Sequence, residues 1–317
     1  MTGGKIFITG STGTVGKELL HALNERCANV TTIEVKLLVR DQEKAKKLFD
    51  NFTNLDIEYV VGDLDNLAGL FSLYNNLFEN VERIFFIAVA SPTLADISKR
   101  LIEQTLTTSQ SLKQVVQLSA LGVSGDLDSN NYFRFHSEAE KSVAKVLRKK
   151  APHVSCVVLR PNMFIQNFLR DDLNGIKTSG VFYRPTHDRV PYRISHVDVR
   201  DIAELAAQVL TEPTEKHAGN TYNITGPETV TYEEVAQTIS KSVGKQVKLI
   251  ELSEFDFGNV MRNSGLPPSL VFGIVKLYQV FKLNGTSANV HGDYQLVTGK
   301  KPRSLEDFFR ENKDAFL

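Results

Sequence analysis

The stretch Lys5–Leu23, KIFITGSTGTVGKELLHAL, decides how the rest of the chain is read. An apolar, β-branched run ends at Gly10, and beyond it Val15, Leu19, Leu20 and Leu23 recur at helical spacing. A strand therefore bends directly into a helix, with Gly10, Gly13 and Gly16 in the bend. Gly10 permits the tight turn, Gly13 lets backbone approach a pyrophosphate, and Gly16 lets the helix pack on the strand. Backbone N–H groups at the helix start then face the phosphates, with the helix dipole in their favour. No Lys-Ser/Thr follows the loop, which excludes a P-loop phosphotransferase. A dinucleotide is the ligand implied.

Working outward, the same rhythm repeats. Short apolar runs, VKLLV, IEYVV, RIFFIAV, VVQLS and VSCVVL, alternate with amphipathic or polar segments. Continuous apolar strands separated by helices predict an α/β fold, a Rossmann-type doubly wound parallel sheet covered on both faces. After Arg160 the pattern loosens into FLRDDLNGIKTSGVFYRPTHDRVPYRI, rich in Gly, Pro and charge, which reads as a cap or loop region. From Ile194 a strand, the helix VRDIAELAAQVL, the strand NTYNIT, the helix YEEVAQTISKSVG and the strand QVKLIEL are expected. The tail reads as mostly helical, with Pro267 and Pro302 marking breaks or helix starts. The division expected is an NAD(P)-binding Rossmann domain over 1–162, to which the chain returns at 195–226. A smaller, mostly helical C-terminal lobe takes 163–194 and 227–317.

Composition narrows the function classes. Lys+Arg 37 balances Asp+Glu 37 over 317 residues, which argues against nucleic acid or an anionic membrane surface as partner. A small-molecule partner fits better. Cys27 and Cys156 are too few for a disulfide framework, and the seven histidines lack ligand spacing, so no metal site is expected. The chain enters a strand at once, with no leader-like apolar stretch, and a reducing, cytoplasmic location is expected. The sequons at Asn29, Asn51, Asn223 and Asn284 are then chance matches.

The tip of the second strand chooses between cofactors. A carboxylate there would bind ribose hydroxyls, whereas an arginine accommodates a 2′-phosphate. VKLLVRDQEKAKKL puts Arg40 at the tip, Asp41 one residue later and Lys44 nearby, favouring NADP(H) over NAD(H). For Lys44 especially, a solvated charge cluster at a helix start is the competing reading. Asp63, after the third strand, is placed to meet an adenine amino group. Ala88, Ala90 and Ser91 end the fourth strand with residues small enough for backbone to pass beneath a cofactor.

With these residues assembled, the chain resembles the NmrA-like, atypical short-chain dehydrogenase family, in its branch of NADPH-dependent quinone, triphenylmethane and azo reductases. The likeness runs nearly end to end, through TGSTGTVG, LLVRDQEKA, VVQLSALG, FHSEAEKSV, LRPNMFIQNF, ISHVDVRDIA, GNTYNITGPETVTYEEVA and TGKKPRSLEDF. The last two blocks are more diagnostic than the glycines. The resemblance implies that Gly10, Thr12, Gly13, Thr14, Val15 and Arg40 line the NADPH phosphates and ribose. It implies Pro161, Asn162 and Phe164 beside the nicotinamide, Ser119 as the fifth-strand serine, and His136 with Glu140 as the family's HxxxE pair.

That pair stands where ordinary short-chain dehydrogenases carry a tyrosine and a lysine. On a helix from about Asn131, His136 and Glu140 align with Val143 and Leu147, while Glu138, Lys141, Lys145 and Lys149 point elsewhere. Two readings stay open, an i, i+4 pair that steadies the helix and a role for Ser119, His136 and Glu140 in catalysis. A YxxxK at Tyr278–Lys282 lies far downstream in an apolar helix and is rejected as the catalytic pair. Without that pair, carbonyl reduction is disfavoured, but hydride transfer to a quinone, azo or similar conjugated acceptor is not. The alternative is an NADP(H)-binding, redox-sensing regulator of NmrA type, which would have a protein partner and little turnover.

Overall fold

The computed structural model describes residues 4–28, 32–124, 131–185, 192–266 and 268–317. Asn29 and Pro267 lie outside the described residues. The chain forms two compact units, one of Met1–Ala120, Phe135–Arg160 and Val199–Tyr222, the other of Leu121–Arg134, Pro161–Asp198 and Asn223–Leu317.

The first unit is built on a sheet. Its strands are β1 (Lys5–Ile8), β2 (Ile33–Val39), β3 (Leu55–Val61), β4 (Val81–Phe86), β5 (Gln114–Leu118) and β6 (Ser155–Pro161). Two further strands, β7 (Val181–Arg184) and β9 (Lys248–Glu251), form a separate parallel pair in the second unit, while β8 (Thr221–Ile224) joins the large sheet. The order is β3-β2-β1-β4-β5-β6-β8, and the five pairings from β3 to β6 are parallel. Val158 donates to Asn220 and Asn162 to Ile224, so the last pair climbs in the same direction.

β1, β4 and β5 are buried almost throughout, as strands covered on both faces must be. β3, at the edge, alternates instead, and there Glu58 pairs with Lys36 of β2 at 2.9 Å and with Lys5 at 3.3 Å.

The helices of this unit are α1 (Thr14–Arg26), α2 (Gln42–Phe49), α3 (Leu67–Leu73), α4 (Leu94–Thr108) and, from Phe135 on, α5 (Asn131–Lys150). Beyond α6 (Leu173–Ser179) in the second unit, α7 (Val199–Thr211) returns to the first. Buried Arg83 donates through Nη1 to the carbonyls of Leu210 and Glu212, at 2.5 and 3.0 Å, satisfying acceptors that the end of α7 leaves open. Arg26 of α1 reaches Thr211 and Gln208 of the same helix.

In the second unit α8 (Tyr232–Val243) opens with a reciprocal Thr231–Glu234 capping box. α9 (Glu254–Asn263), α10 (Pro268–Asn284), α11 (Asp293–Thr298), α12 (Leu305–Glu311) and α13 (Lys313–Phe316) make the rest helical, as expected. Pro302 precedes α12, whose cap is Ser304. The strand expected at Ile194 is reduced to single bridges, Ile194 with Val230 and Phe164 with Val197. Its middle is polar: Ser195 sends its N–H to Ser287 and its hydroxyl to Asn289, so these groups do not build a ladder. The segment read as a cap contains β7 and a π-helical turn at Phe168–Asp172.

Candidate active site

The strand order reverses between β1 and β4, the switch point at which open α/β sheets bind ligands. Thr9 closes this point, its hydroxyl donating to the Ile87 carbonyl at 2.7 Å and accepting the Ile87 N–H at 2.8 Å. Gly10 follows with φ +65°, a left-handed conformation suited to glycine. A Cβ on Gly16 would lie 2.2 Å from the Gly10 carbonyl oxygen, so α1 can start this close to its strand only with glycine there.

Gly13 is different. It is exposed, caps α1 with extended backbone, and supplies no side-chain cap for the helix N–H groups. α2, α8, α9 and α12 use a side chain at this position, where Asp41, Thr231, Ser253 and Ser304 each accept an N–H from the first turn, whereas α4, α6, α11 and α13, like α1, have none. An uncapped start beside exposed Thr14 and half-buried Thr12, with Val15 and Gly16 buried behind, is the cradle that a pyrophosphate fits.

Arg40 is exposed at the tip of β2. Asp41 accepts the Lys44 N–H at 2.9 Å and so is committed to capping α2. The local carboxylate is thus engaged with its own helix, beside the exposed Arg40. Asp63 likewise accepts the Asp65 N–H at 3.1 Å in a short turn after β3. Ala88 and Ala90 lie half-buried beyond the end of β4.

A second cluster sits where β5, α5 and β6 meet. The Ser119 hydroxyl donates to Glu140 Oε1 at 2.5 Å, and Arg160 forks onto the same carboxylate through Nε at 3.0 Å and Nη2 at 2.5 Å. The inward stripe of α5 is as its spacing predicts, with His136, Val143 and Leu147 buried and Glu138, Lys141, Lys145 and Lys149 exposed. Burial pushes the His136 imidazole down to about 4, against the pull of Glu140 in the other direction. Burial also pushes the Cys156 thiol up to about 11, with Glu140 adding to the rise.

Sequence reasoning passes over Arg160. The signal is present: an arginine at the end of an apolar strand needs a buried partner, and Glu140 is the acid on the inward stripe of α5.

Pro161, Asn162 and Phe164 belong to the second unit. There the Asn162 amide donates to Ser195 and to the Ser287 carbonyl, both at 2.9 Å, and accepts the Met163 N–H. It holds three chain segments together. Tyr278 is buried against Tyr192, Tyr232, Phe257 and Phe281, in keeping with a packing role.

His196, also in this unit, is buried against Phe168 and Tyr232. Burial, with Arg184 nearby, pushes it down to about 3. Both His136 and His196 are neutral when folded and bind a proton on unfolding below their ordinary value of 6.5. Their contribution is complete above about pH 6.5 and is lost as pH falls through about 4 and 3. Urea unfolding between pH 7 and 4.5 is therefore expected to lose about 1.4 kcal/mol per pH unit for each histidine below pH 6. His136→Gln should remove about half of that slope, and an unchanged slope in this variant would show that His136 is not the group titrating.

The profile of the NmrA-like family matches residues 2–309. The NAD(P)H azoreductase of Xenophilus azovorans is 26% identical over 98% of this chain and 99% of its own length. Among solved structures, the NADPH-dependent quinone oxidoreductase QOR2 from Escherichia coli, in complex with NADPH, superposes with a TM-score of 0.78 at 23% identity, covering 96% of this chain and 99% of that one. The triphenylmethane reductase of a Citrobacter species with NADP(H) gives 0.78 at 21% identity, over 97% and 99%. No helix among the described residues is long and apolar enough to cross a membrane.

Proposed function

The chain belongs to the NmrA-like family, and from that premise we propose that it is an NADP(H)-dependent oxidoreductase acting on a quinone, azo or similar conjugated acceptor. The observation that carries the reading is the uncapped start of α1 behind Gly10, Gly13 and Gly16, with Arg40 left available by the capping role of Asp41. Thr12, Gly13, Thr14 and Val15 bind the pyrophosphate through the turn and Arg40 takes the 2′-phosphate. Gly16 permits the packing, and Asp63, Ala88 and Ala90 line the sheet edge. Pro161, Asn162 and Phe164 are assigned to the nicotinamide end. The full-length azoreductase relative supports the same class of chemistry.

Bound NADPH supplies a hydride. The chain's own contribution is orientation. His136 is neutral at physiological pH, and the Ser119 proton is engaged with Glu140, so neither arrangement resembles a tyrosine activated by a lysine. An acceptor whose reduced form is a delocalised anion needs no such donor, since water completes the protonation. Holding cofactor and a flat acceptor in register is then the main source of rate.

Arg40→Ala should weaken NADPH binding about 10- to 100-fold, the loss of one charge-assisted contact, and leave NADH nearly unchanged. Fluorescence titration measures both, and equal losses would remove Arg40 from phosphate recognition.

The engaged Ser119–Glu140–Arg160 cluster also favours a second reading, a redox-sensing regulator that binds the dinucleotide with little turnover. NADPH oxidation over a panel of quinones and azo dyes separates the two. Steady turnover supports the reductase, whereas tight NADPH binding with no acceptor turned over supports the sensor.

A further inference from the structure

We propose that the outer face of α5 is a docking surface for an acidic helix of another protein, which presents Asp or Glu at four-residue spacing to the lysine row Lys141, Lys145 and Lys149. The surface lies wholly within the first unit and is compatible with either reading of the nucleotide site.

The chain as a whole is balanced in charge, yet this face is not. Arg134, Lys141, Lys145, Arg148, Lys149 and Lys150 are exposed on α5, against the single exposed acid Glu138. The inward acid of the helix, Glu140, is taken by Arg160. On α4, Glu103 adds little relief: Lys150 pairs with it at 2.8 Å, and Lys99 and Lys149 also bear on it, so one carboxylate is shared by three cations. The helix macrodipole accounts for Arg148, Lys149 and Lys150, which stand in the last turn of α5. It does not account for Lys141 and Lys145. Those two lie further back and make no ion pair among the described residues. At i, i+4 spacing they repel each other, and Lys145 repels Lys149, which weakens the helix that carries them. A partner's carboxylates are what turn such a row to advantage.

The dimensions choose the partner. From Lys141 to Lys149 the row runs about 12 Å, with one ammonium per about 6 Å, the pitch at which a second helix offers its residues i, i+4 and i+8. A bilayer or a nucleic-acid duplex extends far past so short a row, over a chain whose 37 basic residues are offset by 37 acidic ones. Among the described residues no large apolar side chain is exposed on α4, or on α5 beyond Tyr132, to enter a bilayer or to stack on bases.

The test titrates the full chain, in about 20 mM salt, into a fluorescein-labelled, alanine-based helical peptide of about 20 residues with glutamate at i, i+4 and i+8. Anisotropy should show saturable binding. A peptide of the same composition with its glutamates spread round the helix should bind about tenfold more weakly. Lys141→Gln combined with Lys145→Gln should lose about tenfold for the first peptide and keep its NADPH affinity. In thermal unfolding the same variant should be at least as stable as the wild type, because it removes like-charge repulsion. No binding, equal binding of the two peptides, or a variant that binds the first peptide as well as the wild type would overturn the proposal. Tighter lysine-dependent binding to a DNA duplex or to phosphatidylserine vesicles would overturn it too, as would self-association that the variant abolishes. A variant less stable than the wild type would assign the two lysines to the fold instead of to a partner.

Discussion

Asp172→Ala is expected to destabilise the protein by about 3–5 kcal/mol, the cost of stranding a buried guanidinium. Arg184 meets both oxygens of Asp172, at 2.8 and 2.7 Å, with side-chain exposures of only 7% and 8%. Around it stand the rings of Phe168, Phe182 and Tyr232, with centroids 5.2, 5.1 and 4.7 Å from the guanidinium carbon. Cation–π attraction offsets part of the desolvation, but rings cannot replace a carboxylate as acceptor. The companion variant makes the argument testable. Replacing both partners, Asp172→Leu with Arg184→Met, removes the charge together with its need for a partner and should cost far less than the single change. Chemical unfolding of the set measures it, and a double variant as unstable as Asp172→Ala would mean that packing, not the stranded charge, governs the loss.

The second large effect is expected at the glycine turn, where two neighbouring substitutions should part company. Gly16→Ala puts a methyl 2.2 Å from the Gly10 oxygen and 2.7 Å from the Ser11 Cα, both backbone, so α1 must move away from β1. A loss of about 1–3 kcal/mol in stability follows, with NADPH affinity falling alongside because the turn itself is displaced. In Gly13→Ala the added carbon meets only the Gly10 oxygen, at 3.1 Å, and otherwise points into open space. Its stability should change little while NADPH affinity drops by an order of magnitude or more. Thermal unfolding and NADPH fluorescence report the two quantities separately. A Gly13→Ala protein that kept full affinity would place the phosphates elsewhere than on this turn.

That contrast also marks what is legible in the sequence. The glycine spacing and the uninterrupted apolar runs identify a parallel sheet because both signals are local: each is a property of a few consecutive residues. The inward stripe of α5 is legible for the same reason. The strand expected at Ile194 does not form because its apolar ends hide Ser195, whose hydrogen-bond partners come from residues 287 and 289. The β7–β9 pair joins segments more than sixty residues apart, so nothing near Val181 announces it. The π-helical turn carries no distinguishing composition. Asp41 shows a finer limit: its capping role depends on the residue at which α2 starts, which periodicity alone fixes only to within a position or two.

The repeated crossing of the chain between its units has a consequence during synthesis. The first unit is assembled from three separate stretches, and its last components, α7 and part of β8, extend to Tyr222. Arg83, placed early in the sequence, finds two of its carbonyl acceptors only at Leu210 and Glu212. A growing chain that has finished β1 to β6 thus holds a cation that lacks these two acceptors and a sheet that lacks its seventh strand. The first unit cannot be completed on the ribosome as an N-terminal domain ordinarily is. No contiguous fragment ending before Tyr222 contains it, so a truncation meant to isolate that unit must also keep Leu121–Arg134 and Pro161–Asp198 of the other.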